Sequence, residues 1–159
     1  MNDSKCCDIF TIITKFEIQS TGGKDMAFKW KDSLATGNIA IDGQHKELIE
    51  AANTLLVACS EGKGREEISR TGKFLLDYTK KHFGDEERLQ IKSNYPDYNN
   101  HKKLHEFFVQ EVKNLVSDLE TQGPNVALVG RINNLISGWF FSHISREDVK
   151  VAAHVKSNS

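Results

Sequence analysis

Apolar residues recur every three or four positions along most of the chain from residue 43 onward, which is the spacing of amphipathic α-helices. Glycine or proline stands at each break in this pattern, as at Gly62 and Pro96. Four amphipathic helices with short connections predict an all-α, up-down-up-down four-helix bundle. The predicted helices are 43–60, 65–91, 98–120 and a fourth that begins at Pro124.

The ends of these helices carry recognisable signals. From Phe28 to Ile41 the apolar residues lose their helical period, which predicts an extended arm lying on the bundle. Asp42 and Asp97 are predicted N-caps of the first and third helices, and Pro124 is placed in the first turn of the fourth. A short final helix is expected over about residues 147–154.

Residues 1–25 differ in character from the rest of the chain, and we interpret them as a disordered N-terminal extension to a bundle domain at 26–159. The apolar run from Ile9 to Ile13 lacks the basic flank and small-residue cleavage site of a secretory signal. A docking tail is the alternative interpretation of this extension.

Composition narrows the function classes. The formal net charge is −1 over 159 residues, which gives no reason to expect a nucleic acid or an anionic membrane as partner. No apolar run has the length of a membrane helix. The three cysteines form neither a zinc pattern nor a disulfide framework, so a reducing cytoplasm is predicted, with Cys59 as a small core residue.

The histidines carry the candidate chemistry. His101 and His105 are four residues apart on one helix face, so both rings can reach one metal ion, and His82 and Glu86 have the same spacing. A single histidine on an apolar face is more often a hydrogen-bonded core residue. Here, however, the bundle topology brings the candidates to one end, which predicts a buried two-metal site. The candidate ligands are His45, His82, Glu86, His101, His105, His143 and Asp148.

Three further expectations concern the neighbours of these residues. Asp148 follows His143 by five positions, about 140° apart on a straight helix, so the helix should end or bend near Ser145. The carboxylates beside Glu86, those of Asp85 and Glu87, are expected to be solvated. His154 is expected to be a surface residue without a partner.

These motifs resemble those of bacterial hemerythrins, a family of non-haem di-iron proteins that bind dioxygen. The similarity extends from residue 28 to about 154, and all of the family's ligand positions hold the expected residue type. It is carried by Trp30, the segments 42–46, 82–87, 101–105 and 139–144, and Asp148. The resemblance implies two iron ions with a bridging oxide or hydroxide. One iron is then held by His101, His105 and His143, the other by His45 and His82, with Glu86 and Asp148 as bridges.

The resemblance also implies a function, reversible dioxygen binding at an open position of the two-histidine iron, without enzymatic turnover. Trp139 and Phe140 are candidates for the wall of the oxygen pocket, although aromatic residues at this spacing are usually plain core. Phe140 stands where leucine is common in the family, which changes the expected pocket size. The alternatives are an oxygen-sensing module or a di-iron enzyme that reduces peroxide or nitric oxide. Dioxygen is the expected partner, and the chain is expected to be a monomer or a small homo-oligomer.

Overall fold

The structure, a computed structural model, describes residues 28–158. Short connections join four long helices, so the up-down-up-down bundle predicted from the apolar pattern is confirmed. The first three helices are α1 (Ile39–Ser60), α2 (Arg65–Lys92) and α3 (Tyr98–Gln122), and the fourth is a composite of several segments. Within residues 28–158, no helix combines the length and the apolar character needed to cross a membrane.

The first helix begins earlier than the pattern predicts, and Asp42 is not its N-cap. Asn38 takes that role, because its side chain accepts hydrogen bonds from the amides of Ala40 and Ile41. Asp42 instead lies in the first turn and accepts from the Thr36 amide and hydroxyl, both at 2.8 Å. Its carboxylate therefore fixes the loop that enters the helix.

The predicted arm before α1 is confirmed in part. Its backbone is extended at Lys31, but Asp32–Leu34 forms a 3₁₀ turn that buries Leu34. The arm is attached by Asn53, whose side chain accepts from the Phe28 amide at 2.8 Å and donates to the Phe28 carbonyl at 2.9 Å. Both bonds are buried, so this side chain satisfies backbone groups that would otherwise lose water without replacement.

The middle connections follow their sequence signals. Helix α1 ends at Ser60, and Gly62 follows in the turn with a φ of 62°, in the left-handed region that glycine adopts without strain. Asp97 occupies the N-cap position of α3, as predicted, but its side chain makes no capping bond. It accepts instead from the Asn100 side chain at 2.7 Å.

Pro124 lies before the fourth helix instead of in its first turn. The cap is Asn125, whose side chain accepts from the Leu128 amide at 3.0 Å. Backbone angles at every junction remain in the right-handed helical region, so residues 126–157 form one continuous helix, which we call the fourth helix. Its segments are α-helical Val126–Asn133, π-helical Asn134–Phe140, α-helical Phe141–His143, π-helical Ile144–Asp148 and α-helical Val149–Ser157.

The bundle interior is apolar along most of its length and polar at one end. Cys59 lies in the apolar part, fully buried, as predicted. Helices α2 and α3 approach closely at Gly72, where an added Cβ would lie 3.3 Å from the Val116 side chain. The polar end holds the histidines and carboxylates singled out in the sequence.

Replacing Asn53 with alanine should detach the arm. Asn53→Ala leaves the Phe28 amide and carbonyl buried without partners, so we expect the free energy of unfolding to fall by about 1–3 kcal/mol. Urea denaturation followed by circular dichroism measures this. The matched control is Thr54→Ala, the exposed neighbour on the same helix. Equal stability of the two variants would contradict the anchoring role.

Candidate metal centre

Seven buried histidine and carboxylate side chains from all four helices meet at one end of the bundle. Each is at most 4 % exposed. The first and third helices contribute residues near their starts, whereas the second and fourth contribute residues near their ends, as the up-down-up-down order requires. The residues are His45 from α1, His82 and Glu86 from α2, His101 and His105 from α3, and His143 and Asp148 from the fourth helix.

The donor atoms divide into two groups that share one carboxylate, that of Asp148. Within each group the donor atoms lie within 4.8 Å of one another, which is close enough for a single metal ion. One group is His101, His105, His143 and Asp148, and the other is His45, His82, Glu86 and Asp148. Every candidate ligand predicted from the sequence lies in one of these two groups.

Asp148 turns one oxygen toward each group. Its Oδ1 lies 3.0 Å from His143 Nε2 and 3.3 Å from His101 Nε2, whereas Oδ2 lies 3.1 Å from His45 Nε2. Because the two oxygens face different imidazole sets, this carboxylate lies between two positions for a cation.

A π-helical turn, instead of the expected bend at Ser145, brings His143 and Asp148 together. In an α-helix, residues five apart are separated by about 140°. The π turn over Ile144–Asp148 hydrogen-bonds across five residues, and this widening moves residues i and i+5 toward one face. The helix therefore continues to Ser157 while both side chains point inward.

Glu86 occupies a comparable place on α2. Its Oε1 lies 3.2 Å from His101 Nε2 and accepts a hydrogen bond from Gln90 at 3.0 Å. Its Oε2 lies 3.9 Å from His82 Nε2 and 4.0 Å from His105 Nε2. Both sides of the cluster are thus within reach of this carboxylate as well.

The buried donor atoms lack hydrogen bonds, which is the test of whether a cation fits. The Nε2 atom of all five histidines, both oxygens of Asp148 and Oε2 of Glu86 have no hydrogen-bond partner in the described chain. A buried polar atom without a partner costs about 1–3 kcal/mol. The convergence of so many nitrogen and oxygen atoms without partners is the arrangement that a metal ion stabilises, and imidazole with carboxylate suits iron or zinc.

Ionisation states follow from the same burial. Burial lowers the pKa of His82 and His105, so both rings are neutral at pH 7 and present a lone pair. At His101 burial also acts downward, but the neighbouring carboxylates outweigh it and raise the pKa to about 9. For Asp148 burial acts upward, yet the surrounding imidazoles hold the pKa well below its usual range.

Two neighbours expected to be solvated are part of the centre's support. Glu87 Oε1 lies 3.1 Å from His105 Nδ1, and Asp85 accepts from the Gln44 side chain at 2.6 Å. Both contacts join residues from different helices, which sequence spacing cannot reveal. His154 is likewise not a partnerless surface residue, because its Nε2 donates to the Ser93 carbonyl at 2.9 Å.

Aromatic rings surround the imidazoles. Trp139 stacks on His143 with ring centroids 4.5 Å apart, and Phe140, 1 % exposed, has its ring centre 5.6 Å from that of His45. Both residues therefore lie beside the imidazole cluster, Trp139 at the three-histidine group and Phe140 at the two-histidine group. Phe83, which sequence reasoning did not single out, stacks on His105 at 3.8 Å. Its position directly after His82 was the available signal.

A four-helix bundle with two buried histidine and carboxylate groups defines a metal-binding bundle protein. The family model of the hemerythrin HHE cation binding domain matches residues 36–155. Bacteriohemerythrin of Pseudomonas paraeruginosa is 36 % identical over 119 residues, covering 75 % of each chain. Bacteriohemerythrin of Stenotrophomonas maltophilia is 32 % identical over 129 residues, covering 81 % of this chain and 82 % of the relative. The chain belongs to the hemerythrin family, and the resemblance to bacterial hemerythrins is confirmed.

Solved structures agree with this assignment. The crystal structure of a leucine-to-phenylalanine mutant matches with a TM-score of 0.72 and 25 % identity, covering 82 % of this chain and 98 % of that one. A leucine-to-tyrosine mutant of hemerythrin also matches with a TM-score of 0.72, at 24 % identity and the same coverage. The second match speaks for the fold alone.

In the metal-free protein His101 should carry a proton, and the loss of this proton at alkaline pH should destabilise the fold. Because the pKa of His101 in the folded chain is about 9, above its usual 6.5, its stabilising contribution is complete below pH 6.5 and is lost as pH rises through 9. Chelated protein should therefore melt at a lower temperature at pH 9 than at pH 7. Scanning calorimetry of wild type and His101→Gln tests this, since the variant should lose that pH dependence. An equal slope in both would contradict it.

Proposed function

We propose that this protein binds dioxygen reversibly at a histidine-rich, non-haem di-iron centre, for oxygen carriage, storage or delivery. In this proposal His101, His105 and His143 hold one iron, and His45 and His82 hold the other. The carboxylates of Glu86 and Asp148 join the two irons, together with a bridging oxide or hydroxide.

The observation that carries the proposal is the unequal division of imidazoles about a shared carboxylate. Asp148 directs Oδ1 at two of the three histidines in one group and Oδ2 at a histidine of the other group. The second group has one imidazole fewer. If Glu86 and Asp148 are both shared, an ion held there would have one protein ligand fewer than its neighbour, which would leave room for a small diatomic ligand.

The ligand types favour oxygen binding over oxygen cleavage. A pair of irons supplies the electrons for reversible dioxygen binding when it is bound here. The chain contributes five imidazoles and two carboxylates, so much of the metal charge stays uncompensated, which disfavours strongly oxidised iron. Lowered pKa values keep His82 and His105 neutral, as ligands must be.

Aromatic and aliphatic side chains keep water away from the two-histidine side. The Phe140 ring meets the rings of His45 and His82 edge to face, with centroids 5.6 and 6.4 Å away. Beyond Phe140, a small apolar cavity is lined by residues including Leu48, Thr79 and Phe108. Dry walls of this kind limit the proton access that would release reduced oxygen species. They support reversible binding instead of turnover.

The remaining parts of the proposal are a cytoplasmic location and residues 1–25 as an extension to the bundle domain. Dioxygen is the proposed partner, and the protein is proposed not to be an enzyme. A sensor module and a di-iron enzyme that reduces peroxide or nitric oxide are the competing functions, and oxygen cycling separates the enzyme from the carrier.

Cycling the reduced, iron-loaded protein between oxygen and vacuum tests the function. We expect about two irons per chain and visible oxo-to-iron absorption bands that appear with oxygen and disappear under vacuum over repeated cycles. Conversion to the ferric form within one cycle, with peroxide released into solution, would favour the enzymatic alternative. If the protein purified from iron-rich cultures contains one tightly bound zinc ion per chain and no iron, the di-iron assignment is overturned.

Asp148→Asn tests the shared carboxylate. The substitution removes a buried negative charge that both metal positions share, so we expect loss of iron and a lower melting temperature. Glu147→Gln is the matched control, since that neighbouring carboxylate pairs with Lys150 at the surface. Iron analysis and thermal melts of both variants give the comparison. Equal iron content in the two would contradict the role of the Asp148 charge in holding the metal ions.

A further inference from the structure

Two imidazoles of the cluster have their Nδ1 atom, which faces away from the cluster centre, in contact with a polar side chain that is not one of the seven candidate ligands. Gln44 Oε1 lies 3.0 Å from His82 Nδ1, and Glu87 Oε1 lies 3.1 Å from His105 Nδ1. By contrast, the Nδ1 atoms of His45 and His101 have no hydrogen-bond partner in the described chain. Among these four rings, the supporting side-chain contacts are therefore made to two, one in each donor group.

The Gln44 amide can take only one orientation. Its other end lies 2.6 Å from Asp85 Oδ2, and an ionised carboxylate accepts hydrogen bonds but donates none. The NH₂ group must therefore face Asp85, and the oxygen must face His82. Asp85 is itself held by Lys81 at 3.1 Å and by Arg88, so its charge and place are fixed by two cations.

An amide oxygen facing His82 determines the tautomer of that ring. Oxygen accepts, so Nδ1 must carry the hydrogen and Nε2 must keep its lone pair. Nε2 is the atom that points into the cluster, where it lies 3.9 Å from Glu86 Oε2. A chain of contacts thus leads from the surface to His82. Lys81 and Arg88 hold Asp85, Asp85 orients Gln44, and Gln44 contacts the His82 ring.

Glu87 does the same for His105, but with a charged group. Its side chain is 19 % exposed while the ring it contacts is 1 % exposed, so the contact lies at the edge of the buried cluster. A carboxylate behind a ligating imidazole fixes the tautomer and also makes the ring a stronger donor. The three-histidine group therefore has an anionic support, and the two-histidine group has a neutral one.

We propose that Gln44, oriented by Asp85, and Glu87 are positioning residues that fix the metal-binding tautomers of His82 and His105. Their difference in charge makes His105 the stronger donor and leaves His82, in the group with the free position, the weaker one. This inference rests on the proposed metal centre and assigns roles to residues outside its ligand set.

The first experiment measures the tautomer directly. Long-range ¹H–¹⁵N spectra of the labelled protein, metal-free and zinc-loaded, should show the Nδ1–H form of His82 in wild type. Gln44→Leu should give a mixture of tautomers and about 10- to 100-fold weaker binding at one of two metal positions. Gln110→Leu, at an exposed glutamine of α3, is the control. An unchanged tautomer and unchanged metal affinity in Gln44→Leu would overturn the role of Gln44.

A second variant keeps this test decisive if Gln44→Leu fails to fold. Asp85→Ala leaves Gln44 in place but frees its amide to turn, so the same tautomer mixture is expected. A wild-type His82 tautomer in Asp85→Ala would overturn the orienting role of Asp85. The tautomer of His82 is measured in the metal-free protein and does not require iron. Failure of the wild type to bind two metal ions would therefore overturn the proposed function, whereas the tautomer could still be determined.

The second experiment separates charge from geometry at Glu87. Glu87→Gln retains an oxygen acceptor for His105 but removes the negative charge, so we expect retained metal content and a higher midpoint potential of the iron-loaded centre. Glu106→Gln, at an exposed carboxylate next to His105, controls for a general charge effect. A potential shift no larger than that of Glu106→Gln would overturn the electronic role of Glu87.

Discussion

The structure depends on a set of buried lone pairs that the protein alone does not satisfy. The carboxylate of Asp148 is fully buried and has no hydrogen-bond partner in the described chain, and the same holds for the inward nitrogens of five histidines. Such a cluster at the end of an apolar bundle is costly without a positive charge at its centre. Metal binding energy is therefore also folding energy here, since the ligands come from all four helices.

The fourth helix departs from regular α-helical geometry where it carries the candidate ligands His143 and Asp148. Two π-helical segments, Asn134–Phe140 and Ile144–Asp148, lie before and after His143. Wide turns have poorer internal packing than α-helical ones and occur often at functional sites. The second segment turns Asp148 inward without ending the helix, and the Phe140 ring lies at the end of the first. Departure from α-helical geometry thus coincides with the residues that face the metal centre.

The two donor groups differ in their number of imidazoles and in the side chains that contact those imidazoles from outside the ligand set. Three imidazoles lie on one side and two on the other, and the outer contact is a carboxylate for His105 but an amide for His82. If Glu86 and Asp148 are both shared, the two differences would act in the same direction, because each would leave the two-histidine side with less electron donation. Under the proposed function, reversible ligand binding at that side would benefit from a weaker donor set, whereas strong donation would favour oxidation.

Sequence by itself determined the helices, the bundle and all seven members of the cluster, because helical periodicity and four-residue spacing are local properties. The same periodicity placed His101 and His105 on one face and put Trp139 and Phe140 beside the cluster. Tertiary structure alone decided the N-cap at Asn38, because Asp42 was a suitable capping residue until the incoming loop took its carboxylate. It also decided the π turn at Ile144–Asp148, which places Asp148 within 3.1 Å of His45 and 3.3 Å of His101 on other helices. Contacts such as Glu87 to His105 and Gln44 to His82 join different helices, and no pattern within one helix encodes them.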